Sequence, residues 1–198
     1  MDMRRGILIG LLLSFLSASC GTDRAATKEI ILPDAMQDDH FNVFIETSAG
    51  EHLMRSFQDS TGSLDSVTLL SFLPLPVNLG FIPTYARPDS QLVKTVAWVF
   101  SYRVESGEAL PTRPLGMLNF IEDGEEKNHF VMIPTNEHLR IMEATSFDDF
   151  AIRYDAIKYS FEYWLRNRGG VGRISRLRWR DEKTAHEQLV EQINISEE

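Results

Sequence analysis

The sequence predicts an α+β domain with a mostly antiparallel, barrel-like sheet and helices confined to its C-terminal half. Three observations carry this. Between Phe41 and Pro134 the apolar residues alternate or fall in short β-branched and aromatic runs separated by turn residues. After Ser146 the apolar period lengthens from two to alternating fours and threes. A basic strand and a last helix follow, and strands succeeded by helix, strand and helix belong to the α+β class. At 198 residues, with twelve Phe, five Tyr and three Trp, the chain can build one real core.

The chain opens with a leader. Met1 to Arg5 is short and basic, and Gly6 to Leu16 is an apolar run too short to span a bilayer as a helix. Ser17-Ala18-Ser19 then precedes Cys20, the only cysteine, so no intramolecular disulfide is possible. The pattern resembles a bacterial lipoprotein signal, with Leu16 four rather than three residues before the cysteine. Residues 1–19 are expected to be removed and Cys20 lipidated, which anchors the mature chain to a membrane of the cell envelope. Gly21 rather than Asp after Cys20 resembles the sorting pattern for an outer membrane, where there is one. Residues 20–40 are polar around Ile30 to Leu32 and read as a tether.

The domain runs from Phe41 to the end. Phe41 to Glu46 is a first strand with Phe41, Val43 and Ile45 on one face, and His52 to Phe57 is a second. Asp59-Ser60-Thr61-Gly62 is a turn. Ser66 to Leu73 leads into Phe72 to Pro83, FLPLPVNLGFIP. Its prolines Pro74, Pro76 and Pro83 cannot donate to a ladder, so it reads as a bent edge segment bordering a pocket. Thr95 to Arg103 is a central strand, Pro114 to Ile121 another, Glu122 to Glu126 an acidic exit loop, and Phe130 to Ile133 a returning strand. Phe150, Tyr154, Ile157, Phe161 and Trp164 share one face of a helix over Phe147 to Leu165. Ser146 with Asp149 resembles its capping box, and Gly169-Gly170 ends it. Arg173 to Arg180 is a basic strand with Leu177 and Trp179 on one side. Asp181 caps a last helix that turns Ala185, Leu189 and Ile193 inward.

FLPLPVNLGFIP resembles the F-x-P-x-N-Y-G-x-I segment of the soluble, magnesium-dependent inorganic pyrophosphatases. Pro114 to Leu118 with Glu122 to Glu126 resembles that family's strand into an acidic D-E-G-E loop. Met132-Ile133-Pro134 with the following helix, and Trp179 to Ala185, match two further motifs in order and spacing. The resemblance covers about Phe41 to Ile193. It implies a five-stranded, OB-like barrel with flanking strands and two helices packed on it. It also implies a site where carboxylates hold several Mg²⁺ and basic side chains grip phosphate oxygens.

Position by position, most of that site is replaced. Counted back from Gly107, the aspartates of G-D-x-D-P-x-D fall on Gln91, Val93 and Val96. The second aspartate of the acidic loop falls on Lys127 and the lysine after it on His129. The tyrosine of N-Y-G is Leu79, although Asn78 and Gly80 remain as the pocket frame. The early lysine and glutamate fall on Met54 and Ser56, and the tyrosine-lysine pair at the helix end on Arg168 and Gly169. Glu46 and Glu122, with Asp123 beside it, are the carboxylates left for a residual metal.

The expectation is therefore a lipid-anchored family member without metal-dependent hydrolysis of diphosphate and without a cofactor, Mg²⁺ being implied by resemblance alone. One alternative is residual diphosphate or phosphoester hydrolysis through Glu46, Glu122 and Asp123. Another is metal-free anion binding by Lys127, Arg168 and Arg173. Arg166, Arg168, Arg173, Arg176, Arg178 and Arg180 fit either an anion or lipid-headgroup site or a solvated face paired with Glu122 to Glu126. Expected partners are the membrane and a phosphate-like anion or an envelope protein. Nucleic acid is not expected of a chain with net charge −9. His129 and His138 lack metal-ligand spacing, and Asp148-Asp149 suits a helix N-terminus.

Overall fold

The computed structural model of the protein describes residues 30–69, 73–86 and 91–197. The leader with Cys20, and Phe72 at the start of the proline segment, lie outside them. Among the described residues there are nine strands: β1 (Met36–Gln37), β2 (His40–Thr47), β3 (Leu53–Gln58), β4 (Ser63–Leu69), β5 (Asn78–Ala86), β6 (Gln91–Val99), β7 (Ala109–Glu122), β8 (Glu125–Pro134) and β9 (Ile174–Arg180). The helices among the described residues are α1 (Phe147–Arg153), α2 (Asp155–Asn167) and α3 (Glu182–Glu197), with a 3₁₀ turn at Glu137–Leu139.

Strands β2, β5, β6, β8 and β7 lie side by side in that order, and β7 returns to pair with β2, which closes a five-stranded barrel. β1 and β9 extend the sheet, and β3–β4 form a separate hairpin. The barrel is mixed, because β6 and β8 run parallel over Ala97–Val99 and Phe130–Met132. Strand β7 pairs with β8 along one edge and serves two partners on the other. Its N-terminal half pairs with β2, its C-terminal half with β9, and a bulge between Pro114 and Gly116 gives the bend this requires.

Both faces of the barrel strands are buried. A first apolar cluster joins Leu79, Trp98, Phe120 and Val131 to Phe150, Phe161 and Trp164 of α1 and α2. A second, on the opposite side of the sheet, joins Val43, Ala97, Met117 and Phe130 to Ala185, Leu189 and Ile193 of α3. A third packs Phe44, Phe57 and Phe81 together, with Ile30 and Leu32 laid against them.

Several expectations need correction. Asn78 to Ala86 is a central strand between β2 and β5's other neighbour, β6, not a bent edge. Pro83 is tolerated because the β2 register ends at Phe81, which leaves that edge of β5 open at the proline. The central strand begins at Gln91 and stops at Val99, so Arg103 lies beyond it. The acidic exit loop is a two-residue turn, in which Asp123 and Gly124 both take positive φ (53° and 89°) between paired Glu122 and Glu125. Asp-Gly is the favoured chemistry for that turn. Ser63 to Leu69 is the hairpin partner of β3, a pairing the sequence reading did not make.

The long helix is broken at Tyr154, so three helices pack on the barrel rather than two. Tyr154 has φ −121° and ψ 30°, closes α1 by donating its N–H to the Phe150 carbonyl, and starts α2 through its own carbonyl. The Tyr154 hydroxyl accepts the Glu143 N–H at 3.1 Å, which holds the break in place. The apolar face nevertheless continues across it, since Tyr154 and Ile157 pack on the same cluster as Phe150 and Phe161.

Candidate functional site

The proline-rich segment delivers Asn78 to a point where three loops meet. Its buried amide accepts the N–H groups of Ala49 (2.8 Å) and Val104 (3.2 Å), and it donates to Ser101 Oγ and the Tyr102 carbonyl, both at 2.8 Å. Every hydrogen-bonding direction of the side chain is in use. Gly80 sits opposite Ile45, where a Cβ would stand 2.0 Å from the Phe44 carbonyl oxygen. Only glycine allows that approach. The two frame residues therefore hold strands and loops together, and neither offers a free group to a ligand.

Glu46, near the end of β2, is engaged by several groups through one oxygen. Its Oε1 accepts the Phe57 N–H at 2.7 Å and pairs with Lys94 Nζ at 2.7 Å. Lys94 also donates to Ser56 Oγ and the Phe57 carbonyl, and its ammonium lies 4.8 Å from the centre of the Phe81 ring. A hydrated cation would have to displace this lysine to reach Oε1.

Glu122, the last residue of β7, is held in a different way. Arg168, just past the end of α2, donates Nη2 to both of its oxygens at 3.0 Å, and both side chains are largely buried. The Arg168 guanidinium also lies 5.6 Å over the Trp98 ring. Next to it, Asp123 is ion-paired with Arg173, whose guanidinium holds the Asp123 carboxyl below its usual range. Lys127 pairs with Glu125, which raises the lysine above its ordinary value. The residues read as a residual metal set and those read as an anion set are thus brought together chiefly as each other's partners.

What surrounds these pairs is apolar. Leu79 is buried in the first cluster, and Met54 and Val96 pack against it. Val93 is turned outward, and Gln91 is exposed at the start of β6. His129 is buried between Trp98 and Phe120 and accepts the Trp98 indole N–H on Nδ1 at 3.0 Å. Burial first, then the charges of Arg168 and Lys127, push its imidazole down to about 3, so the ring is neutral and Nδ1 is free to accept.

Multi-Mg²⁺ chemistry needs several free carboxylate oxygens in near-octahedral array. Among the described residues no group of three or more His, Cys, Asp or Glu could hold a metal ion. Glu46 and Glu122 are each already neutralised by a cation at hydrogen-bond distance. The residues present do not fit the metal cluster, and no step of a metal-dependent reaction can be assigned to them. Lys94 is the residue that sequence reasoning missed. A lysine inside the apolar run LVKTVAWV is itself a signal, because an ammonium half-buried in a strand needs a carboxylate nearby.

A family model described as inorganic pyrophosphatase matches residues 43–196. No curated protein sequence matches the chain. Solved structures of inorganic pyrophosphatases share its fold. That from Helicobacter pylori is 20% identical with a TM-score of 0.63, over 84% of this chain and 99% of its own. That from Coxiella burnetii is 23% identical with a TM-score of 0.62, over 81% and 96%. That from Neisseria gonorrhoeae is 18% identical with a TM-score of 0.65, over 84% and 98%. With the barrel, its flanking helices and a family match from Val43 to Ser196, the chain belongs to the inorganic pyrophosphatase family.

Proposed function

We propose that this chain is a pyrophosphatase-family domain that has lost metal-dependent hydrolysis of diphosphate and serves as a binding module at the cell envelope, anchored through a lipid on Cys20. The observation that carries the first part is the state of the two remaining carboxylates. Glu46 is tied to Lys94 and Glu122 to Arg168, each with a cation where a metal would have to sit. The apolar filling by Leu79, Met54 and Val96 supports the same reading, since it gives phosphate oxygens no donors and hydrated ions no ligands. Neither a cofactor nor a resident Mg²⁺ is part of this proposal.

The full-length protein, solubilised in detergent and checked for native circular dichroism, is expected to release phosphate from diphosphate at the blank rate with Mg²⁺ present. Turnover well above the blank that disappears on chelation would overturn the reading. The anchor rests on the leader and Cys20 alone. Cells fed labelled palmitate should label the wild-type chain and not Cys20→Ala, and equal labelling of the two would remove Cys20 as the acylated residue.

A further inference from the structure

The arginines that follow α2 divide into two groups. Arg168 and Arg173 are consumed by Glu122 and Asp123. Arg176, Arg178 and Arg180 are not. Leu177 and Trp179 of β9 pack toward the first apolar cluster, while these three arginines are exposed. Together they line a cavity of about 520 Å³ bounded by β7, β8, β9 and the first turns of α3.

The charge in this cavity is left open. The Arg176 and Arg178 side chains make no hydrogen bond or ion pair among the described residues. Arg180 Nε donates to Asn119 Oδ1 at 3.2 Å, and Asn119 donates in turn to Asn128 Oδ1 at 2.6 Å. Both partners are neutral, so the arginine is positioned without being neutralised. Glu126 is the one carboxylate among the lining residues, and the amine of Lys127, which also borders the cavity, is already held by Glu125. Three uncancelled guanidinium groups face one carboxylate in a chain whose net charge is −9.

The backbone is also committed to this arrangement. Between Ser175 and Arg178 the strand carries an extra residue against Asn119–Ile121 of β7, and within that bulge Arg176 adopts φ 52°, a left-handed conformation that an arginine rarely takes. Bulges of this kind re-aim side chains next to sites.

We propose that this face of β9 binds a phosphate-type oxyanion carried on a larger organic body. Guanidinium groups grip such oxygens in bidentate fashion. The cavity is larger than a bare phosphate requires and within the range of small-molecule sites. Thr184, Gln188 and Asn128 give the neutral part of the ligand hydroxyl and amide partners at the rim. The site lies against α3, whose Thr184 and Gln188 line it, and does not depend on whether hydrolysis is lost.

The test uses the full-length chain in two arms, calorimetry with glycerol 3-phosphate and co-sedimentation with phosphatidylglycerol vesicles. Phosphatidylcholine vesicles measure whatever the leader contributes. Wild type is compared with the double variant Arg176→Asn, Arg178→Gln, whose positions are exposed and whose first change suits a left-handed backbone. We expect salt-sensitive binding by wild type and a loss of about tenfold or more in the variant, with Glu126→Gln binding more tightly than wild type. Loss in both arms identifies the phosphate group itself as the determinant. Loss only with vesicles identifies a headgroup presented on a membrane, and loss only with glycerol 3-phosphate a free ester. Equal behaviour of wild type and the double variant, or no binding of either ligand at millimolar concentration, overturns the proposal.

Discussion

Along β5, residues one position apart stand differently against the resembled motif. Asn78 and Gly80 match the resembled motif and are fixed by the backbone around them, through four hydrogen bonds at Asn78 and a 2.0 Å steric limit at Gly80. Leu79 stands between them where the motif has tyrosine, and it faces the first apolar cluster. A strand sends adjacent side chains to opposite faces, so one segment can keep its architecture while exchanging its chemistry. The difference teaches that the residues matching the motif are the ones that closing the barrel requires. The residue that departs from it has only to fill a space.

That contrast can be broken at its strongest point first. Gly80→Ala forces a Cβ into the Phe44 carbonyl and is expected to cost upward of about 4 kcal/mol, the exceptional end for single substitutions. Urea unfolding should find little or no folded protein. A variant as stable as wild type would show that β2 and β5 can separate, and the frame would lose its rigidity. Asn78→Ala comes next. It leaves the Ala49 and Val104 N–H groups without their acceptor, for an expected loss of about 3 kcal/mol at about 1–3 kcal/mol per buried unpaired group.

Much of the frame was legible in the sequence. Ser146 accepts the Asp149 N–H at 3.1 Å, Asp181 accepts the Thr184 N–H at 2.8 Å, and Ala185, Leu189 and Ile193 are buried as their spacing predicts. Such features are local, written within three or four residues of each other. The break at Tyr154 was not legible, because its cause is a hydroxyl contact to Glu143 eleven positions away. Pro83 misled for a related reason: a proline forbids a ladder bond only on an edge that is paired, and pairing is a tertiary fact. The candidate site shows the same limit. Departures from the resembled motif could be counted from the chain, but the pairing of Glu46 with Lys94 spans 48 positions and that of Glu122 with Arg168 spans 46, and neither could.

His129 sharpens the comparison from the apolar side. An unfolded histidine takes its proton near its ordinary value of about 6.5, whereas the buried imidazole resists it down to about 3. Between those values the unfolded chain binds more protons than the native one, so stability is fully present above the upper value and falls as pH drops toward the lower. The accumulated loss is on the order of a few kcal/mol. His129→Gln keeps an acceptor for the Trp98 N–H but cannot titrate. Its stability should vary less with pH between about 6.5 and 4, and an unchanged slope would place the acid sensitivity elsewhere.

The smallest expected effects belong to the two ion pairs, and their difference is the finest test of the reading. Glu46 answers to a lysine and a backbone N–H, so Glu46→Gln leaves Lys94 half-buried beside the Phe57 carbonyl and should cost about 2 kcal/mol. Glu122 answers to Arg168 alone at the end of a strand. Because Arg168 also rests on the Trp98 ring, Glu122→Gln should cost closer to about 1 kcal/mol. Double-mutant cycles with Lys94→Met and Arg168→Met isolate each coupling. If both couplings vanish, the cations are not holding the carboxylates, and these ion pairs do not shut a metal out of the site.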